Sequence, residues 1–269
     1  MPLRGSQLIQ DIEDSQCDSP AIWWLGHSGF VLKYRSSIFY VDPCLSDWLG
    51  PRAPRLIGSP LDPAAVSHAS LILCTHAHPD HLDPGTAPAI LDRSRRAKLV
   101  IPKSVAAHAH SLGIGYDRMV TTDSGLRVEY LDDRIYSVPS AHNELDWTPL
   151  GGYPYLGYLI RFANCTIYHA GDGIPYPGLA DRLRPYSVTV ALLPISGRKP
   201  DSAPGNFEIA EAAQLAEDID ARWLVPMHYG MFASNTGDVN RFIDHLLGQR
   251  PEQRFKVFEC GEKWLVPAD

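Results

Sequence analysis

Within six consecutive positions, His76-Ala77-His78-Pro79-Asp80-His81 carries three imidazoles and one carboxylate. Imidazole with carboxylate suits zinc, manganese or iron, whereas an all-oxygen set would suit magnesium or calcium. His142, Asp172 and His228 add three ligand-type side chains, each after an apolar run. Seven such groups exceed what one four-coordinate ion needs. They match two ions with one carboxylate between them, a pair that binds hydroxide at neutral pH and polarises the bond it attacks. A structural zinc is a poor alternative, because the site has no cysteine quartet and draws on too many segments.

The elements that must position these groups are legible from apolar runs and turn residues. Leu71-Ile72-Leu73-Cys74 reads as a buried strand running straight into the cluster. Strands over 135–138, 166–168 and 223–225 precede His142, Asp172 and His228. If the four are neighbours, their C-terminal ends converge on one rim, where α/β proteins place their chemistry. Residues 22–25, 30–34 and 38–41 read as the first strands, the last ending in Asp42-Pro43. Further strands are expected over 99–101, 118–120, 126–131, 155–162 and 188–193. The segments 255–258 and 264–266 read as a closing pair. Helices are expected over 6–14, 63–70, 86–93, 104–112 (capped by Ser104 and ended by Gly113), 207–218 (capped by Asn206) and 239–247. Residues 44–63, 141–155 and 194–205 read as irregular loops. The chain is read as one domain over 1–269, with 1–20 as an N-terminal extension.

Bulk composition narrows the function. The 269 residues are 45% hydrophobic and 20% charged, with a net charge of -7, which speaks against a nucleic-acid binder. No apolar run is long enough to span a membrane, and the N-terminus lacks the apolar stretch of a secretory signal. Five scattered cysteines without a CxxC pair fit a reduced, cytoplasmic protein.

At these residues the chain resembles the metallo-β-lactamase-fold hydrolases, whose HxHxDH signature matches His76-x-His78-x-Asp80-His81. Within them it most resembles the L-ascorbate-6-phosphate lactonase group. The matching words are Trp24-Leu25-Gly26-His27-Ser28-Gly29, Val41-Asp42-Pro43, Tyr168-His169-Ala170-Gly171-Asp172, Leu193-Pro194-Ile195-Ser196-Gly197-Arg198 and Val225-Pro226-Met227-His228-Tyr229-Gly230. Phospholipase-D-like enzymes that cleave N-acyl phosphatidylethanolamine share the Gly-His-Ser and Asp-Pro elements. The resemblance implies a four-layer αββα sandwich. It implies that His76, His78 and His142 hold a first metal, that Asp80, His81 and His228 hold a second, and that Asp172 bridges. His142 and a shorter segment after Asp42-Pro43 set the chain apart from the lactonase itself. An aspartate instead of cysteine at 172 argues against β-lactamase activity.

The expectation is therefore a metal-dependent hydrolase with two divalent ions (zinc or manganese, iron as a third choice). A metal-bound hydroxide would act on a small anionic or phosphorylated lactone or ester. A phosphodiesterase is the alternative within enzymes, and a non-catalytic metal or ligand sensor the alternative outside them. Asp80 is expected to handle the proton. Asp42 is expected to hold a ligand histidine's other nitrogen, with His169 beside it. Arg198, Tyr229 and His27 are the expected substrate contacts. Arg52 and Arg55 offer further guanidinium groups for phosphate, and Trp48, Trp147 and Tyr153 are aromatics that would wall a pocket. No nucleic-acid partner is expected, and a homo-oligomer is compatible with the sequence.

Overall fold

The computed structural model describes residues 1–48, 50, 53–198, 205–233 and 236–268; Arg52 lies outside them. Two seven-stranded sheets pack face to face. The first contains β1 (Ala21–Gly26), β2 (Gly29–Tyr34), β3 (Ser37–Val41), β4 (Leu71–Leu73), β5 (Lys98–Pro102), β6 (Met119–Thr122) and β14 (Lys263–Leu265), in the order β14-β1-β2-β3-β4-β5-β6. The second contains β7 (Arg127–Tyr130), β8 (Asp133–Pro139), β9 (Leu156–Phe162), β10 (Cys165–His169), β11 (Val190–Pro194), β12 (Trp223–Met227) and β13 (Arg254–Phe255), in the order β13-β12-β11-β10-β9-β8-β7. Each begins as an antiparallel meander and continues with parallel strands, β3 to β6 and β10 to β13.

Both faces of the first sheet are buried, and side-chain alternation divides its strands between two cores. Ile22, Trp24, Phe30, Leu32, Phe39 and Val41 point between the sheets. There Phe39 stacks on Phe162 with ring centroids 5.4 Å apart. Ala21, Trp23, Val31, Tyr40, Ile72 and Leu99 point the other way, against α1 (Gly5–Asp14), α2 (Ala87–Arg93) and α3 (Ala106–Ser111). On the second sheet's outer face lie α4 (Leu179–Leu183), α5 (Ile209–Asp218) and α6 (Val239–Gln249). The result is the expected αββα sandwich. The N-terminal extension is part of it: α1 buries Leu8 and Ile12, and its C-terminal carbonyls at Ile12 and Glu13 accept from the buried Lys33 Nζ at 2.6 and 2.7 Å. A cation suits that end of a helix.

Several expectations are corrected. The helix over 63–70 is only a 3-10 turn at Pro63–Ala65, because Ser94 Oγ takes the Val66 carbonyl and the Ala69 N–H and holds that backbone away from a helix. His68 is therefore not on a helix; it joins Tyr40 Oη to Glu13. Ser104 caps nothing: Lys103–Val105 is a 3-10 turn leading into α3. Helix α5 starts at Ile209, capped by Glu208 and Glu211 in a reciprocal box. Asn206 instead turns its amide on Gly173 and Ser196. The last two strands do not pair with each other, since β13 extends the second sheet and β14 crosses to the first. Helix α4 falls outside the sequence reading.

Phe162→Ala should test the inter-sheet core. The side chain is fully buried, so its truncation should cost about 3–5 kcal/mol. Urea unfolding of wild type and variant would read this; a loss near zero would contradict the packing.

Candidate metal centre

The ligand-type residues sit where strands of both sheets end on one edge. Asp42 follows β3, residues 75–81 follow β4, His142 follows β8, Asp172 follows β10 and His228 follows β12. Asp42, buried at φ 43°, is the anchor. Its Oδ1 accepts from the Thr75 backbone N–H at 2.8 Å, and its Oδ2 accepts from Thr75 Oγ1 and His81 Nδ1, both at 2.7 Å. His81 Nε2 is thereby turned toward Asp172. The Asp172 loop interlocks with the same threonine. Gly171 has φ +64°, and a Cβ there would stand 2.8 Å from Thr75 Cβ, so only glycine fits. Ser140 Oγ donates to the Asp172 carbonyl at 2.6 Å, and Asn206 Oδ1 accepts from Gly173 N–H at 2.8 Å.

The side chains form two groups, in each of which one ligand atom per residue lies within 4.8 Å of all the others: His76, His78, His142 and Asp172, and His27, Asp80, His81 and His228. Asp172 faces both. Its Oδ1 lies 3.1 Å from His81 Nε2 and 3.3 Å from His228 Nε2, and its Oδ2 lies 3.7 Å from His142 Nε2. These groups fit divalent cations by a specific sign. His81 Nε2, His228 Nε2 and Asp172 Oδ1 are buried without a hydrogen-bond partner, although such groups are costly unless satisfied. A buried carboxylate oxygen flanked by two imidazole nitrogens in this way suits a cation.

His27 was expected to touch substrate. Instead it is fully buried at φ 54°, with Nε2 3.0 Å from Asp80 Oδ2 and its ring 3.8 Å from that of His228. It belongs with the ligand cluster. Tyr229 faces the core, stacked on Trp24 at 4.4 Å with its hydroxyl donating to the Phe258 carbonyl. Arg198 is held by both carboxylate oxygens of Glu211. His169 donates from Nε2 to the Ser28 carbonyl and accepts the Gly171 N–H on Nδ1, so both nitrogens are occupied behind the cluster. Trp48 and Trp147 are 65% and 55% exposed. Sequence reading missed Tyr155, whose ring lies 5.3 Å from His76 and 5.0 Å from His142; opening a hydrophobic strand, it reads as a core residue.

Protonation follows burial and neighbours. Burial, then His228, lowers His27 to about 4. Burial, opposed by Asp172 and reinforced by His78, lowers His142 to about 4. His76 is pushed well below its usual value by burial and His81. Against burial, Asp172, Asp42 and Asp80 raise His81 well above its ordinary range. Asp172 is held down against burial by His228 and His81, and Asp80 against burial by His81 and His27. Burial thus favours the neutral imidazole at His27, His76 and His142, while the carboxylates around His81 favour its protonated form.

The fold and the site define a metal-dependent hydrolase of the metallo-β-lactamase kind. The chain belongs to the β-lactamase superfamily, whose domain model matches residues 38–229, and within it to the UPF0173 metal-dependent hydrolases. It is 33% identical over 250 residues to the member from Thermococcus kodakarensis, covering 89% of this chain and 96% of that one. The member from Hyperthermus butylicus is 29% identical over 253 residues, with 89% and 96% covered. The probable L-ascorbate-6-phosphate lactonase of Escherichia coli is 23% identical over 313 residues, covering 100% of this chain and 87% of that one. Among solved structures, the metallo hydrolase Igni18 from Ignicoccus hospitalis superposes with TM-score 0.71 at 23% identity, covering 93% and 100%. An isothiocyanate hydrolase from Delia radicum gut bacteria gives 0.74 at 18%, covering 91% and 99%. Among the described residues, no helix is long and apolar enough to cross a membrane.

Two measurements follow. His27 and His142 stay neutral down to about 4, whereas the unfolded chain protonates histidine near 6.5. The metal-free protein should therefore lose stability as pH falls through that window. His81, raised, acts oppositely and only above about 6.5, where its contribution is lost as pH climbs through its folded value. A Tm that stays flat between pH 6.5 and about 4.5 would contradict this. Asp42→Asn should weaken metal binding by about 10- to 100-fold, read by competition with a chromogenic chelator; unchanged affinity would remove Asp42 from the orienting role.

Proposed function

We propose that the chain hydrolyses a small ester or lactone at a centre of two divalent cations, zinc or manganese with iron also suited to the donor set. The observation that carries this is Asp172, whose Oδ1 stands near His81 and His228 while Oδ2 faces His142. A carboxylate so placed serves both ligand groups at once. In this reading His76, His78 and His142 hold one cation, and Asp80, His81 and His228 the other. A pair of divalent cations, when bound, lowers the pKa of water and polarises the carbonyl under attack.

The chain's own residues do the rest. Asp42 and Thr75 fix the orientation of His81. His27 holds Asp80 by one carboxylate oxygen. Asp80 is 18% exposed while most of its neighbours are buried, and it takes a proton from the attacking water and returns it to the leaving oxygen. Tyr155 sets its half-buried ring beside His76 and His142. The Escherichia coli relative's lactonase name supports a lactone or ester over a phosphodiester. Neither Arg198, held by Glu211, nor Arg55, held by Cys44, offers the free fork that phosphate recognition uses.

Protein purified without added metal should contain about two ions per chain. Asp172→Ala should lower the hydrolysis of a lactone and ester panel by more than about a hundredfold while leaving the fold intact by circular dichroism. Metal content near zero with no rescue by manganese or zinc would overturn the proposal. A response to bis-p-nitrophenyl phosphate alone would move it to phosphodiesters.

A further inference from the structure

Asp172 presents one carboxylate oxygen to His81 and His228 and the other to His142, so its backbone has to be fixed. The local chain works against this. Glycine stands on both sides, at 171 and 173, and glycine lets a peptide turn at little steric cost. The Asp172–Gly173 peptide is instead gripped at each of its polar ends. Ser140 Oγ donates to the Asp172 carbonyl at 2.6 Å, and Asn206 Oδ1 accepts from the Gly173 N–H at 2.8 Å. Both gripping side chains are buried, which strengthens their hydrogen bonds. Gly173 is itself required, because a Cβ there would stand 2.3 Å from Ser140 Oγ.

The two grips come from different places. Ser140 follows β8, two residues before His142. Asn206 comes from the segment between β11 and α5, which supplies no member of either ligand group among the described residues. That segment is tied to itself where Asn206 leaves it. The Gly197 N–H donates to the Phe207 carbonyl at 3.1 Å, and the Asn206 N–H to the Gly197 carbonyl at 3.0 Å. Asn206 Nδ2 donates to Ser196 Oγ at 3.1 Å. Arg198, held by Glu211, extends Nη1 to the Asn206 carbonyl at 3.4 Å. Every polar group of Asn206 is thus engaged. None of this serves the helix, since α5 is capped by Glu208 and Glu211. An amide suits the position: it accepts at one end and donates at the other, and it adds no second charge beside Asp172.

We propose that Asn206 is a positioning residue for the metal centre. By holding the Gly173 N–H it sets the plane of the Asp172–Gly173 peptide, and with it the direction of the Asp172 carboxylate toward both ligand groups. The proposal rests on the two-cation reading above and extends it to a segment that supplies no ligand. In the same scheme Arg198, with Glu211, steadies the Asn206 backbone and does not contact substrate.

The test uses the full chain, freed of metal by a chelator and titrated with cobalt(II) against a chromogenic competitor. Asn206→Asp keeps an acceptor for the Gly173 N–H, and the Ser196 hydroxyl can turn to donate to it. Asn206→Leu has nearly the same size and no acceptor. Cobalt(II) affinity should fall by about tenfold or more in Asn206→Leu and stay within about threefold of wild type in Asn206→Asp, as for groups that orient ligands. The visible spectrum of bound cobalt(II) should change in Asn206→Leu alone. A packing role predicts the opposite order, because a buried site tolerates an apolar side chain better than a charge. Asn206→Leu within about twofold of wild type, or an equal loss in both variants, overturns the proposal. Should Asn206→Leu fail to fold, Ser140→Ala releases the other end of the same peptide; it should lose about tenfold in affinity, and an unchanged affinity there also overturns the proposal. A cobalt(II) affinity that follows this order in a protein that turns over neither lactones nor esters would uphold the role of Asn206 and defeat the hydrolase reading. Ester turnover by the wild type, with one cobalt(II) affinity across all the proteins, would do the reverse.

Discussion

The site depends first on one buried carboxylate. Asp42 ends β3 in a left-handed conformation that a non-glycine residue adopts only at a cost. In return it gathers the Thr75 N–H, the Thr75 hydroxyl and His81 Nδ1. That set fixes where the loop leaves β4, and Thr75 also touches Gly171 and His76. Without Asp42 the first turn of the cluster would have no register relative to the Asp172 loop, and the two ligand groups would lose their shared edge. A charge with no exposure is tolerable there because three donors and nearby imidazoles compensate it.

The architecture makes such convergence possible. Each sheet passes from a meander to parallel strands, and parallel strands deliver successive loops to one edge. Five segments from both sheets therefore reach a common rim, each short and each anchored by a buried strand. His228 and His27, like Asp42, sit at positive φ, and the His228 N–H donates to the His27 carbonyl at 3.0 Å. The backbone is bent where the imidazoles must turn inward.

Much of this was legible in the sequence, and for identifiable reasons. The strands before His76, His142, Asp172 and His228 are short apolar runs bounded by turn residues, a pattern that survives without tertiary information. The spacing of the histidine cluster carries its own chemistry. What was not legible depends on distant partners. The helix expected over 63–70 yields to Ser94, a residue 28 positions from Val66. Asn206 looks like a helix cap, but its amide is drawn to Gly173. Tyr229 sits beside a ligand in sequence and points away from it in space, because Trp24 and Phe258 claim its ring and hydroxyl. His27 was recognised as near the site, but its burial against Asp80 needed the fold. Arg198 and Arg55 are the clearest case. A guanidinium in a loop is chemically free on paper, and only the structure reveals Glu211 or a carbonyl already holding it.

The crossing of β14 to the first sheet bears on how the molecule is made. Strand β1 lies beside β14, with Ala21 opposite Leu265, and the Leu3 N–H meets the Gly261 carbonyl. On the ribosome, the first strands of the first sheet are made early, but β1 keeps an open edge until β14, which follows every strand of the second sheet, has emerged. An unpaired edge invites pairing with another chain, and long-range closure is slow. Throughout synthesis of the second sheet the β1 edge thus lacks its native partner. The short β14, with Lys263 Nζ over the Trp23 ring at 5.4 Å, is the strand whose arrival covers that edge.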